Sequence, residues 1–149
     1  MRIESVAWEH PEAERLRAAQ RVEIDGRYGA DTEPGEKPTA ASVSVFLVAF
    51  DDAGTGLGCG GLRMLEPGIA EIKRMYVAPS ARGSGVSTAL LRRLEAEAAS
   101  AGVTQLRLET GPAQPDAVRF YTREGYTRIP NFGYYVDAPD SLCFGRVLG

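Results

Sequence analysis

The chain has 149 residues, 44% hydrophobic and 25% charged, the balance of one globular domain spanning 1–149 that buries roughly two-thirds of its unfolded surface. Seventeen basic and 20 acidic residues leave a net charge of −3, which argues against a nucleic-acid surface, and no apolar run approaches the ~20 residues of a membrane span. One histidine, His10, and two cysteines, Cys59 and Cys143, lack metal-ligand spacing, argue against a metal centre, a His-based triad or a disulfide framework, and suit a reducing cytoplasm.

MRIESVA alternates weakly and reads as a short first strand, and charges interrupt the N-terminus too soon for a signal peptide. HPEAERLRAAQRVEI reads as a helix to Ile24, with Pro11 in its first turn, Glu12 and Glu14 at its positive end, and Leu16, Ala19 and Val22 as its apolar side. Asp25 to Ser42, rich in glycine, proline and charge without periodicity, reads as a long loop.

SVSVFLVAF, GLGCGGLRML and IAEIKRMYV follow as three strands separated by the turn signals Asp51-Asp52-Ala53-Gly54 and Glu66-Pro67-Gly68. Strict alternation in the third puts Ile69, Glu71, Lys73, Met75 and Val77 on one face and Ala70, Ile72, Arg74 and Tyr76 on the other. Val86, Ala89, Leu90, Leu94 and Ala98 mark a helix over about 85–101, stopped by Gly102. VTQLRLET is the next strand, and the crossover from IAEIKRMYV makes that pair parallel. Asp116 is read as the N-cap of a short helix ending at Gly125, and two last strands, Tyr126–Ile129 and Ser141–Leu148, flank PNFGYYVDAPD.

The stretch that carries chemistry is Val77 to Leu91, a strand entering a glycine turn that opens into a helix. Unpaired N–H groups in such a turn form a concave donor cluster suited to a pyrophosphate. Gly85 is followed by Val86 and Ser87 instead of Lys and a hydroxyl residue, so the turn is not a Walker A loop. It lies mid-chain after antiparallel strands and lacks a third glycine, so it is not a dinucleotide fingerprint.

Arg82-Gly83-Ser84-Gly85-Val86-Ser87, with Ser87 in the last small position, resembles the coenzyme-binding turn of the GNAT superfamily of acyl-coenzyme A-dependent N-acyltransferases. Phe120-Tyr121-Thr122-Arg123-Glu124-Gly125-Tyr126 is similar to that family's downstream aromatic signature, with Asp116 where many members carry asparagine. The resemblance spans about Val43 to Ile129. It implies a mixed α/β domain: a twisted, mostly antiparallel sheet of about six or seven strands with a central splayed parallel pair, flanked by about four helices.

The implied reaction moves an acetyl group from acetyl-coenzyme A to a primary amine of a small molecule or peptide, by direct attack through a tetrahedral intermediate and without a metal. The implied coenzyme contacts are Met75, Tyr76, Val77, Arg82, Gly83, Ser84, Gly85, Val86, Ser87, Asp116, Phe120 and Tyr121. A primary amine has pKa ~10.4 and costs about 4 to 5 kcal/mol to deprotonate at pH 7, so a base near the cleft is useful. Glu71, on the inferred face of Met75 and Val77, is the first candidate, with an ordinary ion pair to Lys73 or Arg107 as the alternative; Glu109 is the second. Tyr121 is placed where family members protonate the leaving thiolate, and the Val77 N–H polarises the thioester carbonyl. Glu23, Arg27, Tyr28, Glu109, Phe132 and Tyr134 are read as substrate-binding, Cys59 as a buried structural thiol. A homodimer is compatible with the sequence, and an acyl-coenzyme A sensor or a partner-binding module on the same fold are the alternatives to an enzyme.

Overall fold

A computed structural model describes all of residues 1–149. Seven strands form one sheet in the order β1-β2-β3-β4-β5-β7-β6: β1 (Arg2–Ser5), β2 (Val43–Phe50), β3 (Gly56–Glu66), β4 (Ile69–Val77), β5 (Gln105–Thr110), β6 (Thr127–Arg128) and β7 (Leu142–Val147). Every neighbouring pair is antiparallel except β4 and β5. That parallel pairing covers only Ile69, Ala70 and Glu71 against Gln105, Leu106 and Arg107, after which the two strands part. The gap between them is the central feature of the fold.

Three α-helices cover the sheet, α1 (Pro11–Tyr28), α2 (Val86–Ser100) and α3 (Pro115–Arg123), fewer than the about four implied by the resemblance. One core lies under α2 and α3, where Leu90, Leu91 and Leu94 are fully buried against Leu47, Leu62, Ile72 and Leu106. Each such leucine contributes roughly 2 kcal/mol of apolar burial. A second core lies under α1, formed by Ala13, Leu16, Phe46, Val48, Phe50, Cys59 and Tyr76. The glycines of β3 make these contacts close: a side-chain carbon on Gly58 would stand 2.8 Å from the Tyr76 carbonyl oxygen and 3.1 Å from Leu90.

Helices α2 and α3 end alike. After α2, Gly102 at φ 83° lets its own N–H reach the Ala99 carbonyl and that of Val103 reach Ala98. After α3, Gly125 at φ 98° does the same for Thr122, and the Tyr126 N–H bonds the Tyr121 carbonyl. The second cap fixes Tyr121 relative to the sheet.

Four expectations are corrected. Helix α1 runs four residues beyond Ile24, to Tyr28, because Arg21–Asp25 and Glu23–Arg27 pair one turn apart across the apparent loop; Gly29, at φ 77°, stops it. Its buried side is Ala13, Leu16 and Gln20, and Val22 is 76% exposed. Gln114, not Asp116, is the N-cap of α3, since Pro115 with its fixed φ takes the first helical position.

The fourth correction concerns β4. Lys73 faces Gly61 and Tyr76 faces Cys59, so β4 carries one extra residue between them, a β-bulge at Arg74 with φ 58°. The alternation therefore reverses: Glu71, Lys73 and Tyr76 share the α1 face, while Met75 and Val77 join Ile72 toward α2. A left-handed conformation costs a non-glycine residue roughly 1–2 kcal/mol. Arg74 is held in it by two hydrogen bonds to Glu33, of 2.7 and 2.9 Å, and by the Cys59 thiol on its carbonyl.

Candidate active site

Where β4 and β5 part, two adjoining cavities open. The smaller, about 350 Å³, is bordered by Met75, Tyr76 and Val77 of β4, Arg82 and Ser87 of the glycine turn, Glu23 and Arg27 of α1, and Asp116, Phe120 and Tyr121 of α3. Gly83 and Gly85 adopt φ 78° and 88°, and a side-chain carbon on either would meet nothing within 4 Å. None of the N–H groups from Gly83 to Thr88 donates to a protein oxygen. This row of free donors at the start of α2 is built for an anion with several oxygens.

Backbone direction extends the donor row into the gap. The Ala78 N–H donates to Leu57 across β3, so strand alternation turns the N–H and carbonyl of Val77 the other way, toward β5. Arg82 Nε donates to that Val77 carbonyl at 3.0 Å, and its guanidinium reaches Glu23 at 2.8 Å. Gln20 Nε2 donates to the Met75 carbonyl at 3.0 Å.

The larger cavity, about 560 Å³, is bordered by Gln20, Arg21, Ile24 and Tyr28 of α1, by Ile72 to Met75, by Leu108 to Gln114, and by Thr32–Pro34 and Ala138–Ser141 from the two long loops. Tyr121 borders both cavities. Its hydroxyl has no protein hydrogen bond, and burial raises its pKa above that of a free phenol, so it stays protonated. Glu109 accepts one hydrogen bond, from Ser141 Oγ at 2.8 Å, and makes no ion pair. Burial raises its pKa above the ordinary carboxylate value, partly offset by Ser141.

The sequence of residues 5–126 matches the Acetyltransferase (GNAT) family. The chain belongs to this family. It is 35% identical over 136 residues to the IAA acetyltransferase of Azospirillum brasilense, covering 87% of this chain and 89% of that one. A Klebsiella pneumoniae structure assigned as an acyl-CoA N-acyltransferase superposes with a TM-score of 0.85 at 31% identity, over 99% of this chain and 97% of that one. PaiA N-acetyltransferase of Thermoplasma acidophilum, solved with coenzyme A, shares the fold at a TM-score of 0.71 and 18% identity over 99% of both chains. The protein is thus an acyl-coenzyme A-dependent N-acetyltransferase.

In this GNAT domain the residues expected to touch coenzyme gather around one groove, from Met75 through Ser87 to Phe120 and Tyr121. Asp116 borders it but is exposed and paired with Arg119. Of the expected substrate residues, Tyr28 and Glu109 border the larger cavity, whereas Glu23 and Arg27 border the smaller. Phe132 packs on Tyr135 and Cys143, and Tyr134 lies against Gly35, so neither borders either of these two cavities.

Glu71 is also outside both cavities. It is 1% exposed, paired with Arg63 at 2.8 Å, and accepts the Tyr135 hydroxyl at 2.6 Å; Lys73 stands 3.9 Å away. The bulge at Arg74 separates its face from that of Met75 and Val77, the premise on which it was selected as base. Cys59 is buried, and burial pushes its thiol pKa up to about 12, which suits packing and not nucleophilic chemistry.

Gln20, Glu33, Lys73, Arg74, Thr110, Asp140 and Ser141 were not anticipated. Gln20 had a legible signal: it lies four residues after Leu16 on the buried stripe of α1, a polar side chain where periodicity asks for an apolar one. Glu33 had none, because its partners Lys73 and Arg74 are 40 and 41 residues away.

Proposed function

We propose that this enzyme acetylates a primary amine held in the larger cavity, with Glu109 as general base, Tyr121 as general acid and the Val77 N–H as oxyanion donor. The observation that carries this reading is the unpaired Glu109 carboxylate in the same cavity as the Tyr121 hydroxyl, at the place where β4 and β5 part.

Acetyl-coenzyme A supplies the activated acetyl group. The free N–H groups of Gly83 to Ser87 suit its pyrophosphate, and the Val77 backbone facing the gap suits the amide-rich arm as an added strand. Arg82 adds positive charge once the pyrophosphate draws it from Glu23. The amine enters as an ammonium, Glu109 takes its proton directly or through water, and the freed lone pair attacks the acetyl carbonyl carbon. Carbonyl charge builds beside the Val77 N–H. As the carbon–sulfur bond breaks, the thiolate takes the Tyr121 proton, and the attacking nitrogen gives up its second proton through water to restore the tyrosine. Glu109 releases the first to solvent, so that one proton is lost per turnover. Removing Glu71 from the base role leaves it a structural one, as the buried anion that Arg63 and Tyr135 hold between β3, β4 and the last loop.

Thiol release with acetyl-coenzyme A over an amine panel tests the assignment. Release with the wild type and a fall of ~100-fold in kcat for Glu109→Gln are expected. Binding of acetyl-coenzyme A with no release for any amine would favour a sensor, and no binding heat at all would overturn the groove assignment.

A further inference from the structure

The larger cavity has a marked imbalance between charges already used and charges left free. Three cations border it, Arg21, Lys73 and Arg74. Arg74 makes two hydrogen bonds to Glu33, and Lys73 reaches the same carboxylate at 3.0 Å and the Tyr135 hydroxyl at 3.2 Å. Arg21 pairs with Asp25 at 2.6 Å and with Asp31 at 3.1 Å. Every cation is therefore held by an acidic partner of its own chain.

The anions are not so matched. Glu109 and, at the rim, Asp140 border the cavity and form no ion pair. Two buried polar atoms also lack any partner: Oε1 of Gln20, a residue 7% exposed, and Oγ1 of Thr110, a residue 5% exposed. The orientation of the Gln20 amide is set, because Nε2 must donate to the Met75 carbonyl and Oε1 is the end left over. A free amide oxygen can only accept. The Thr110 hydroxyl can accept or donate, so the unused groups of the cavity lining are one amide acceptor, the two-way hydroxyls of Thr110 and Tyr121, and negative charge, with no spare cation.

From this we propose that the acceptor is a compact cationic amine with no carboxylate, phosphate or phosphonate beside the reacting nitrogen. Glu109 meets the ammonium, Gln20 Oε1 accepts an N–H, and Asp140 favours a second positive or neutral polar group at the rim. An acid group next to the amine would lie against Glu109 with no free counter-ion. Glu33 is the specificity-determining residue behind this exclusion, since it removes Lys73 and Arg74 from the set of available anion partners. The inference rests on the reading of this cavity as the acceptor site.

Matched pairs that differ by one carboxylate test it: agmatine against arginine and tyramine against tyrosine. Thiol release gives kcat/KM, and calorimetric titration of the coenzyme A-saturated protein reads recognition without chemistry. The decarboxylated partner is expected to win by ~10-fold or more in both measurements. Glu33→Gln, which frees two cations, should narrow that ratio to less than ~3-fold. Should that variant not fold, Glu109→Gln is the second probe: agmatine binding weakens by ~10-fold while arginine binding does not weaken. Equal binding of both partners, preference for the acid-bearing one, or no binding of either overturns the inference. Preferential binding of the cation without turnover upholds it and overturns the acetyl-transfer assignment, whereas turnover that favours arginine or tyrosine overturns the inference alone.

Discussion

The base and acid roles proposed for Glu109 and Tyr121 rest on the same cause, burial at the edge of the gap. Burial favours the neutral form of each, so the tyrosine keeps its proton and the carboxylate holds one to a higher pH than usual. A base works only when ionised, and its raised pKa means activity is lost earlier on acidification than for an ordinary carboxylate. The acid limb of kcat/KM against pH should therefore lie above ~4.3, and Ser141→Ala, which removes the one hydrogen bond favouring the anion, should move it higher still. Tyr121→Phe should lower kcat by ~10- to 100-fold with the KM for acetyl-coenzyme A little changed; an unaltered kcat would remove the acid role. Tyr121 was legible because it lies in a signature that also contains its cap, Gly125. Glu109 was legible only as a strand-end carboxylate, because the sequence does not reveal that no cation of the fold forms an ion pair with it.

Two elements decide how the groove works, the glycine turn before α2 and the bulge in β4. Gly85→Ala would force φ 88° on a residue with a side chain, costing roughly 1–2 kcal/mol, and should raise the KM for acetyl-coenzyme A by tilting the donor row. Glu23 holds Arg82 across the groove from α1, so Glu23→Gln should tighten acetyl-coenzyme A binding by ~2- to 5-fold, the range of an exposed ion pair. The bulge explains why alternation put Glu71 on the same face as Met75 and Val77. Alternation counts faces correctly only while the ladder is regular, and one extra residue opposite Gly60 reverses every face beyond it. Glu71→Gln should accordingly destabilise the fold by on the order of 3 kcal/mol, through the unpaired Arg63, with any loss of kcat independent of pH. Thermal unfolding and a pH–rate profile together check this.

Across the whole molecule, Glu33 ties the loop after α1 to the bulge, and this long-range tie makes stability depend on pH. Burial would raise the Glu33 pKa, but hydrogen bonds from Arg74 and the charges of Lys73 and Arg74 outweigh it and hold the carboxyl well below the usual range. Glu12, bonded to Arg15 and to the Gly56 N–H, is likewise lowered to about 2. A depressed folded pKa gives stability that is complete above the unfolded value and lost as pH falls toward the folded one. Melting temperature should thus decline below pH ~4.5, and the decline should be shallower in Glu33→Gln. Local patterns determined the strands, the parallel crossover and the anion-binding glycine turn, because alternation, helical period and turn residues are short-range properties, and the resemblance of Arg82–Ser87 and Phe120–Tyr126 to the GNAT family supplied the cofactor. Tertiary structure decided the extent of α1, the face of Glu71 and the unpaired charges of the cavity. Those depend on which side chains, tens of residues apart, reach the same few ångströms.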